Sequence, residues 1–148
     1  MNVLIDTNVV LDLLLQREPY FVDAARVNVL SEKGFISAYI SASAATDIYY
    51  IARKETRSKE DSLDLIKTLL RTIHIATVTE SNILEALDLK WDDFEDSVQY
   101  VVGKSISAEY IITRNAADYS ESHVNVLSPK EFIQLFAAEE TNETETTE

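Results

Sequence analysis

Short apolar runs alternate with longer amphipathic stretches along most of the chain. Five runs predict strands, at residues 3–5, 35–40, 73–78, 110–113 and 123–127. Between and after them, apolar residues recur every three or four positions, which predicts helices that bury one face. Strands that alternate with helices are typical of an α/β fold, with a mostly parallel sheet covered by helices on both sides.

The amphipathic stretches and their capping residues predict seven helices, which end near Leu15, Lys33, Lys54, Arg71, Leu89, Ser105 and Ala138. Thr7 or Asn8 is expected to cap the first of them. In the third helix, Ile48 and Ile51 are expected to face the core. Before the last helix, Ser128-Pro129-Lys130-Glu131 matches a capping box with proline at the first helical position.

A length of 148 residues and the absence of a proline- or glycine-rich linker indicate one domain, over residues 1–138. Residues 139–148 carry five glutamates, no base and no apolar side chain. Such a segment buries too little apolar surface to offset the entropy of ordering it. We therefore predict an acidic, disordered tail.

Composition excludes several classes of protein. The formal net charge of −13 argues against binding nucleic acid by bulk electrostatics, so a polyanionic substrate would require a metal ion or a local basic rim. Two glycines leave no phosphate-binding glycine loop, and the lack of cysteine rules out disulfides and thiolate chemistry. With no basic leader and no apolar run long enough to span a membrane, we expect a cytoplasmic protein.

Acidic residues stand at the edges of the predicted elements. Asp6 follows the first strand, and Asp47 lies in the helix after the second strand. Asp93, Glu95 and Asp96 open the helix before the fourth strand. Asp118 follows the fourth strand. The carboxyl ends of parallel strands meet at one edge of a sheet, where α/β proteins bind their ligands. Carboxylates gathered there would repel one another unless a cation joined them, and oxygen ligands suit Mg²⁺ or Mn²⁺.

Each acid also has a structural interpretation. Asp6 and Asp118 are compatible with turns, and the group before the fourth strand is compatible with a favourable charge at a helix N-terminus. Asp47 is the hardest to explain in this way, because it lies in an otherwise apolar helical segment.

The chain resembles the PIN-domain family, the metal-dependent ribonucleases that include VapC-type toxins of toxin–antitoxin pairs. The segments that carry the resemblance are residues 3–10, Asp47, residues 93–99 and residues 111–119. It implies an α/β/α sandwich with strand order 3-2-1-4-5, and cleavage of single-stranded RNA with Mg²⁺ or Mn²⁺. By position, it makes Asp6 and Asp96 the central metal ligands.

Two positions depart from the family pattern. Asp47 stands where many members have glutamate, and Asn115 stands where many have aspartate, with Asp118 as the expected substitute. Both departures bear on a second metal site more than on the first. The resemblance assigns supporting roles to side chains that can hydrogen-bond water, ligands or phosphate, with Asp93 beside them: Thr7, Asn8, Asp93, Thr113 and Asn115.

Two functions follow from these features. The first is a metal-dependent endoribonuclease, with the toxin of a toxin–antitoxin module as its specific form; its partners would be an RNA substrate, an antitoxin and a second copy of the chain. The second is a PIN-like module that binds a protein or RNA with little catalysis. The acids Asp6, Asp47 and Asp96 favour the enzyme. Asn115, the shorter side chain of Asp47 and the negative charge of the body favour the module. A phosphatase is more distant, because position 8 is asparagine and no Asp-x-Asp pattern follows the first strand.

Overall fold

The structure is a computed structural model that describes residues 1–146. Its five strands are β1 Asn2–Ile5, β2 Ser37–Ser41, β3 His74–Ala76, β4 Tyr110–Ile112 and β5 Asn125–Leu127. Neighbouring strands pair in parallel in the order β3-β2-β1-β4-β5. This confirms the predicted strand order. β1 begins one residue earlier than the apolar run that predicted it, β2 is shifted towards the C-terminus, and β3, β4 and β5 are shorter than their runs.

Seven α-helices accompany the sheet in the described part of the chain: α1 Thr7–Leu14, α2 Phe21–Glu32, α3 Ala42–Thr56, α4 Lys59–Leu69, α5 Glu80–Leu89, α6 Phe94–Ser105 and α7 Pro129–Thr146. A short 3-10 helix, Ala116–Tyr119, lies in the segment predicted as a loop after β4. Two hydrogen bonds of 3.1 Å confirm the predicted capping box of α7. The backbone N–H of Ser128 donates to the Glu131 side chain, and the backbone N–H of Glu131 donates to the Ser128 side chain. None of the helices in residues 1–146 is long and apolar enough to cross a membrane.

Two hydrophobic cores lie on opposite faces of the sheet. Alternation along β1 sends Val3 and Ile5 into one core, with residues of α1, α2, α3, α4 and α7. Leu4, between them, enters the other core, with residues of α5 and α6. The result is the predicted three-layer α/β/α sandwich.

Two local expectations are wrong. The cap of α1 is Asp6, not Thr7 or Asn8, because α1 begins directly after β1 and the Asp6 carboxylate accepts from Thr7 N at 2.7 Å. In α3, Ile48 is buried as expected, but Ile51 is partly exposed. The buried residues of α3 instead recur every four positions, which places Ile51 at the border of the buried face.

The C-terminal segment also differs from the prediction. Helix α7 continues through residues 139–146, which were expected to be disordered. The prediction of disorder for residues 147–148 lies outside the described part of the chain. Alanine and glutamate are strong helix formers, and the capping box stabilises the N-terminus of α7. The helix therefore continues past its last apolar residues. Side chains 139–143 are exposed, so this extension adds little to the core.

Candidate active site

The pairing of β1 with β4 brings the first site residues together. Ile5 is in register with Ile112, so Asp6 and Thr113 follow at the same edge of the sheet. Asp6 N donates to the carbonyl oxygen of Ile112 at 2.9 Å, which fixes the two strand ends side by side. β2 and β3 lie on one side of β1, and β4 and β5 lie on its other side. The site at the ends of β1 and β4 therefore lies at the topological switch point of the sheet.

The Asp6 carboxylate is only 7% exposed and accepts four hydrogen bonds. Thr7 N donates to Oδ1 at 2.7 Å, and Gln99 Nε2 donates to the same oxygen at 3.4 Å. On the other oxygen, Thr113 Oγ1 donates at 2.8 Å and the Tyr119 hydroxyl lies at 3.2 Å. These hydrogen bonds compensate the buried carboxylate for its lost contact with water.

Helix α6 brings a second carboxylate to the same edge. Asp93 caps this helix, and its Oδ1 accepts from Asp96 N at 3.1 Å. One turn into the helix, Asp96 Oδ1 lies 3.3 Å from the hydroxyl of Tyr119, which also contacts Asp6. The Tyr119 hydroxyl therefore bridges the two carboxylates that the sequence singles out as central.

Negative charge accumulates around Asp96. Partial burial, together with the charges of Asp6, Asp93 and Asp118, raises its pKa from 3.8 to about 7, against a smaller opposite effect of the hydrogen bond from Tyr119. Burial and the two neighbouring carboxylates likewise raise the pKa of Tyr119, so its hydroxyl stays protonated and acts as a donor. No base in this group offsets the repulsion.

Asp47 reaches the same acidic cluster from α3. It is exposed, as its position beside Ile48 allows, and it meets Glu95 at the start of α6. Burial raises the pKa of Glu95, and the charge of Asp47 and a hydrogen bond between the two side chains raise it further. The acids of α3 and α6 therefore share one electrostatic environment, to which Asp6 also contributes.

The supporting residues join this cluster in different ways. Asn8 Nδ2 donates to Thr113 Oγ1 at 3.3 Å, and Asn8 Oδ1 accepts from Arg114 N at 3.3 Å. Asn115 contributes its backbone N–H, which donates to Thr113 Oγ1 at 3.1 Å, while its side chain lines a neighbouring cavity. Asp118, the residue directly before Tyr119, is exposed and acts on Asp96 through its charge.

Two cavities flank the acids. One, of about 200 Å³, is lined partly by Trp91, Asp93 and Asp118. The other, of about 460 Å³, is lined by Pro19, Tyr20, Asp23, Arg114, Asn115, Ser128, Pro129 and Lys130. The charged residues that line the second cavity are two bases, Arg114 and Lys130, and one acid, Asp23.

Arg114 is held in place at this second cavity. Its guanidinium donates to the buried carboxylate of Asp12 at 2.6 and 3.3 Å and lies 4.0 Å from the centroid of the Tyr20 ring. Burial of an unpaired Asp12 would be costly, so this ion pair ties the loop after β4 to α1.

The match to known proteins agrees with this geometry. A sequence profile described as PIN domain matches residues 2–117, most of the chain. The chain belongs to the PIN-domain family. This confirms the resemblance carried by the acidic motifs.

Comparisons with individual proteins show how far the similarity extends. Ribonuclease VapC1 of Aquifex aeolicus (strain VF5) is 26% identical over 141 residues, which cover 90% of this chain and 94% of the relative. VapBC-1 from nontypeable Haemophilus influenzae superposes with a TM-score of 0.69 at 17% identity, covering 88% of this chain and 99% of that chain. PAE2754 from Pyrobaculum aerophilum gives 0.65 at 13% identity, covering 93% and 90%. At these identities the two structures establish the shared fold.

The residues of this PIN-domain site suit a hard divalent cation. Its donors are carboxylate oxygens, and their repulsion is what a cation would relieve. Beside Asp6, Thr7 Oγ1 and Gln99 Oε1 are buried and have no hydrogen-bond partner within residues 1–146. In the arrangement described, however, no three acidic or histidine side chains of those residues lie close enough to hold an ion. Metal binding would therefore require the carboxylates to draw closer.

Two participants, Gln99 and Tyr119, were missing from the residues predicted for the site and appear only within the segments that carry the resemblance. A third, Glu95, was predicted only as one of the acids beside Asp96, without a role of its own. Gln99 is detectable in principle, because it lies one turn after Asp96 among residues that are otherwise mostly apolar. Tyr119 gives no such indication, because a buried aromatic residue after a turn is ordinarily part of the core.

Proposed function

We propose that this PIN-domain protein is a divalent-metal-dependent endoribonuclease that hydrolyses phosphodiester bonds of single-stranded RNA. The observation that carries the proposal is the convergence of Asp6 and Asp96 on one hydroxyl, with Asp47, Glu95 and Asp118 in the same negative field and no base among them. The similarity to Ribonuclease VapC1 supports this reaction class.

Each group has a role in the proposed reaction. Asp6 and Asp96 would hold the Mg²⁺ or Mn²⁺ ion, with Asp47 and Asp118 nearby in direct or water-mediated contact. When bound, the ion would neutralise charge on the phosphate and help to activate water. Thr113 and the backbone N–H of Thr7 orient Asp6 by donating to its two oxygens. Attack of water on phosphorus would leave 5′-phosphate and 3′-hydroxyl ends.

We propose that RNA approaches the acids through the cavity to which Arg114 and Lys130 contribute. Arg114 and Lys130 line the cavity of about 460 Å³, and Asn115 connects it to Thr113 and hence to Asp6. Positive side chains beside the acids would attract the backbone phosphates that flank the cleaved bond. The exposed Tyr20 ring in the same cavity is suited to stack against a base.

We also propose that the protein assembles with others, as an antitoxin-bound toxin and as a homodimer. A structural neighbour, described as a toxin–antitoxin complex from Klebsiella pneumoniae, superposes with a TM-score of 0.64 at 19% identity, covering 86% of this chain and 97% of that chain. In this chain, Leu84 and Leu87 are more than half exposed and lie about one turn apart on α5. Apolar side chains grouped in this way suit a protein partner, and light scattering during gel filtration would test for a dimer.

A PIN-like module that binds RNA or protein without efficient cleavage is the second candidate. It is favoured by the lack of a three-ligand cage within residues 1–146 and by the amide at Asn115. Calorimetric titration with Mn²⁺ separates the two. The enzyme should bind the ion at up to millimolar concentration, and the double variant Asp6→Asn/Asp96→Asn should not. If the wild type gives no heat and no thermal stabilisation with the ion, the module is the better description.

A further inference from the structure

The Tyr119 hydroxyl stands between the two central carboxylates. It lies 3.2 Å from Asp6 Oδ2 and 3.3 Å from Asp96 Oδ1, and the residue is 2% exposed. The Trp91 ring packs edge-on against the Tyr119 ring, with 6.1 Å between their centroids. Burial and this packing hold the hydroxyl in its bridging position.

Hydrogen bonds occupy the whole acceptor capacity of Asp6. A carboxylate offers about four lone-pair sites, two on each oxygen. Thr7 N and Gln99 Nε2 take those on Oδ1, and Thr113 Oγ1 and the Tyr119 hydroxyl take those on Oδ2. A cation can therefore bind Asp6 only if one of these donors gives way.

Among these donors, Tyr119 is the one whose displacement exposes acceptor sites on both Asp6 and Asp96. Its hydroxyl has one proton, so it cannot donate fully to Asp6 and Asp96 at the same time. Its two contacts are longer than the 2.8 Å bond from Thr113 to Asp6. Gln99 makes a longer contact with Asp6, at 3.4 Å, but it has no contact with Asp96 among those described. Displacement of Tyr119 frees one lone-pair site on Asp6 Oδ2 and one on Asp96 Oδ1.

The distances require such a displacement. Mg²⁺ binds oxygen at about 2.0–2.1 Å, much closer than the hydroxyl lies to either carboxylate. A cation that bridges Asp6 and Asp96 would draw the two carboxylates inward and leave no room for the hydroxyl between them. With the hydroxyl in place, no three acidic or histidine side chains of residues 1–146 lie close enough to hold an ion.

We propose that Tyr119 is a positioning residue that takes the place of the cation in the metal-free protein. Its hydroxyl keeps the two carboxylates together and must withdraw when a divalent ion bridges them. Tyr119 thereby sets the metal concentration at which the site becomes loaded. This inference rests on the proposed metal-dependent function.

Tyr119→Phe tests the inference because it removes the hydroxyl and keeps the ring. The variant should bind Mn²⁺ about ten times more tightly than the wild type by calorimetry, since no donor has to leave. Without metal it should melt at a lower temperature, because both acids lose a hydrogen bond. Tyr100→Phe is the matched control: the Tyr100 ring stacks on Trp91 at 4.9 Å, but its hydroxyl contacts His123 N and neither acid.

The fluorescence of Trp91 gives a second readout in the unmodified protein. Trp91 is the only tryptophan in the chain, so its emission reports on the environment of Tyr119. Titration with Mg²⁺, which is not paramagnetic, should change the emission of the wild type and of Tyr100→Phe. The change should be much smaller in Tyr119→Phe, where no hydroxyl withdraws.

The outcomes separate this inference from the function on which it rests. If the wild type binds Mn²⁺ and cleaves RNA but Tyr119→Phe binds the ion equally or less tightly, the displacement of Tyr119 is refuted and the nuclease stands. An emission of Trp91 in the wild type that does not respond to bound Mg²⁺ refutes it independently of any variant. If no variant binds metal and no RNA is cleaved, both proposals fail.

Discussion

Replacement of Asp96 by asparagine should stabilise the metal-free protein above neutral pH. The Asp96 pKa is raised from 3.8 to about 7 by burial and by Asp6, Asp93 and Asp118. For a group fully removed from water, such a change would cost the ionised folded state about 4 kcal/mol. Asp96 is half-buried, so solvent screens part of this repulsion, and we expect about 1–2 kcal/mol. Asparagine keeps an oxygen that accepts from Tyr119.

The pH dependence of the effect follows from the raised pKa of Asp96. Below about pH 4, Asp96 is protonated in both the folded and the unfolded protein and contributes nothing. Between about pH 4 and pH 7, the unfolded chain ionises while the folded protein keeps the proton, so stability falls as pH rises. Above pH 7 the loss is constant. The advantage of Asp96→Asn should therefore grow over this window and then level off.

Urea denaturation in EDTA at several pH values measures this difference directly. The free energy of unfolding of Asp96→Asn should exceed that of the wild type at pH 8 and approach it near pH 4. Asp64→Asn, on the exposed face of α4, is the control for the loss of one negative charge away from the site. A variant that is no more stable than the wild type at pH 8, or whose advantage does not change with pH, would refute the electrostatic reasoning.

Three further changes test the surroundings of the site. Asp47→Asn should abolish RNA cleavage in Mn²⁺ and leave the metal-free protein equally or more stable, because its repulsion with Glu95 is relieved; clear destabilisation with cleavage preserved would remove Asp47 from the site. Thr113→Val should lower the free energy of unfolding by about 1–3 kcal/mol in urea, because Thr113 is fully buried and donates to Asp6. Removal of residues 140–148 should change the melting temperature by less than about 3 °C in calorimetry, because the helix extension is exposed. A larger drop would show that this segment packs on the domain.

Apolar periodicity predicts the framework of this fold well. Buried strands such as β1 and β4 and the capping box at Ser128 are encoded within a few residues of sequence, so the order and type of the elements follow from local patterns. The extension of α7 was not foreseen, because composition indicates only that residues 139–146 lack a core. Composition does not indicate whether a helix that begins at a capping box will extend into such a segment.

The site was only partly predictable, for a physical reason. Asp6 and Asp96 stand at element edges, where a charge in a mostly apolar context is conspicuous in the sequence. Gln99 and Tyr119 act through bonds that span 93 and 113 residues to Asp6, and only the folded chain creates these contacts. The same holds for the ion pair of Asp12 with Arg114, which joins α1 to the loop after β4.

Cleavage of a single-stranded RNA carrying a different label at each end tests the central claim most directly. With Mn²⁺ and purified protein, we predict internal cleavage with 5′-phosphate and 3′-hydroxyl products, abolished by EDTA and by Asp6→Asn or Asp96→Asn. RNA that stays intact with metal-loaded wild-type protein across varied sequences would contradict the account. So would cleavage that persists at the wild-type rate in both variants.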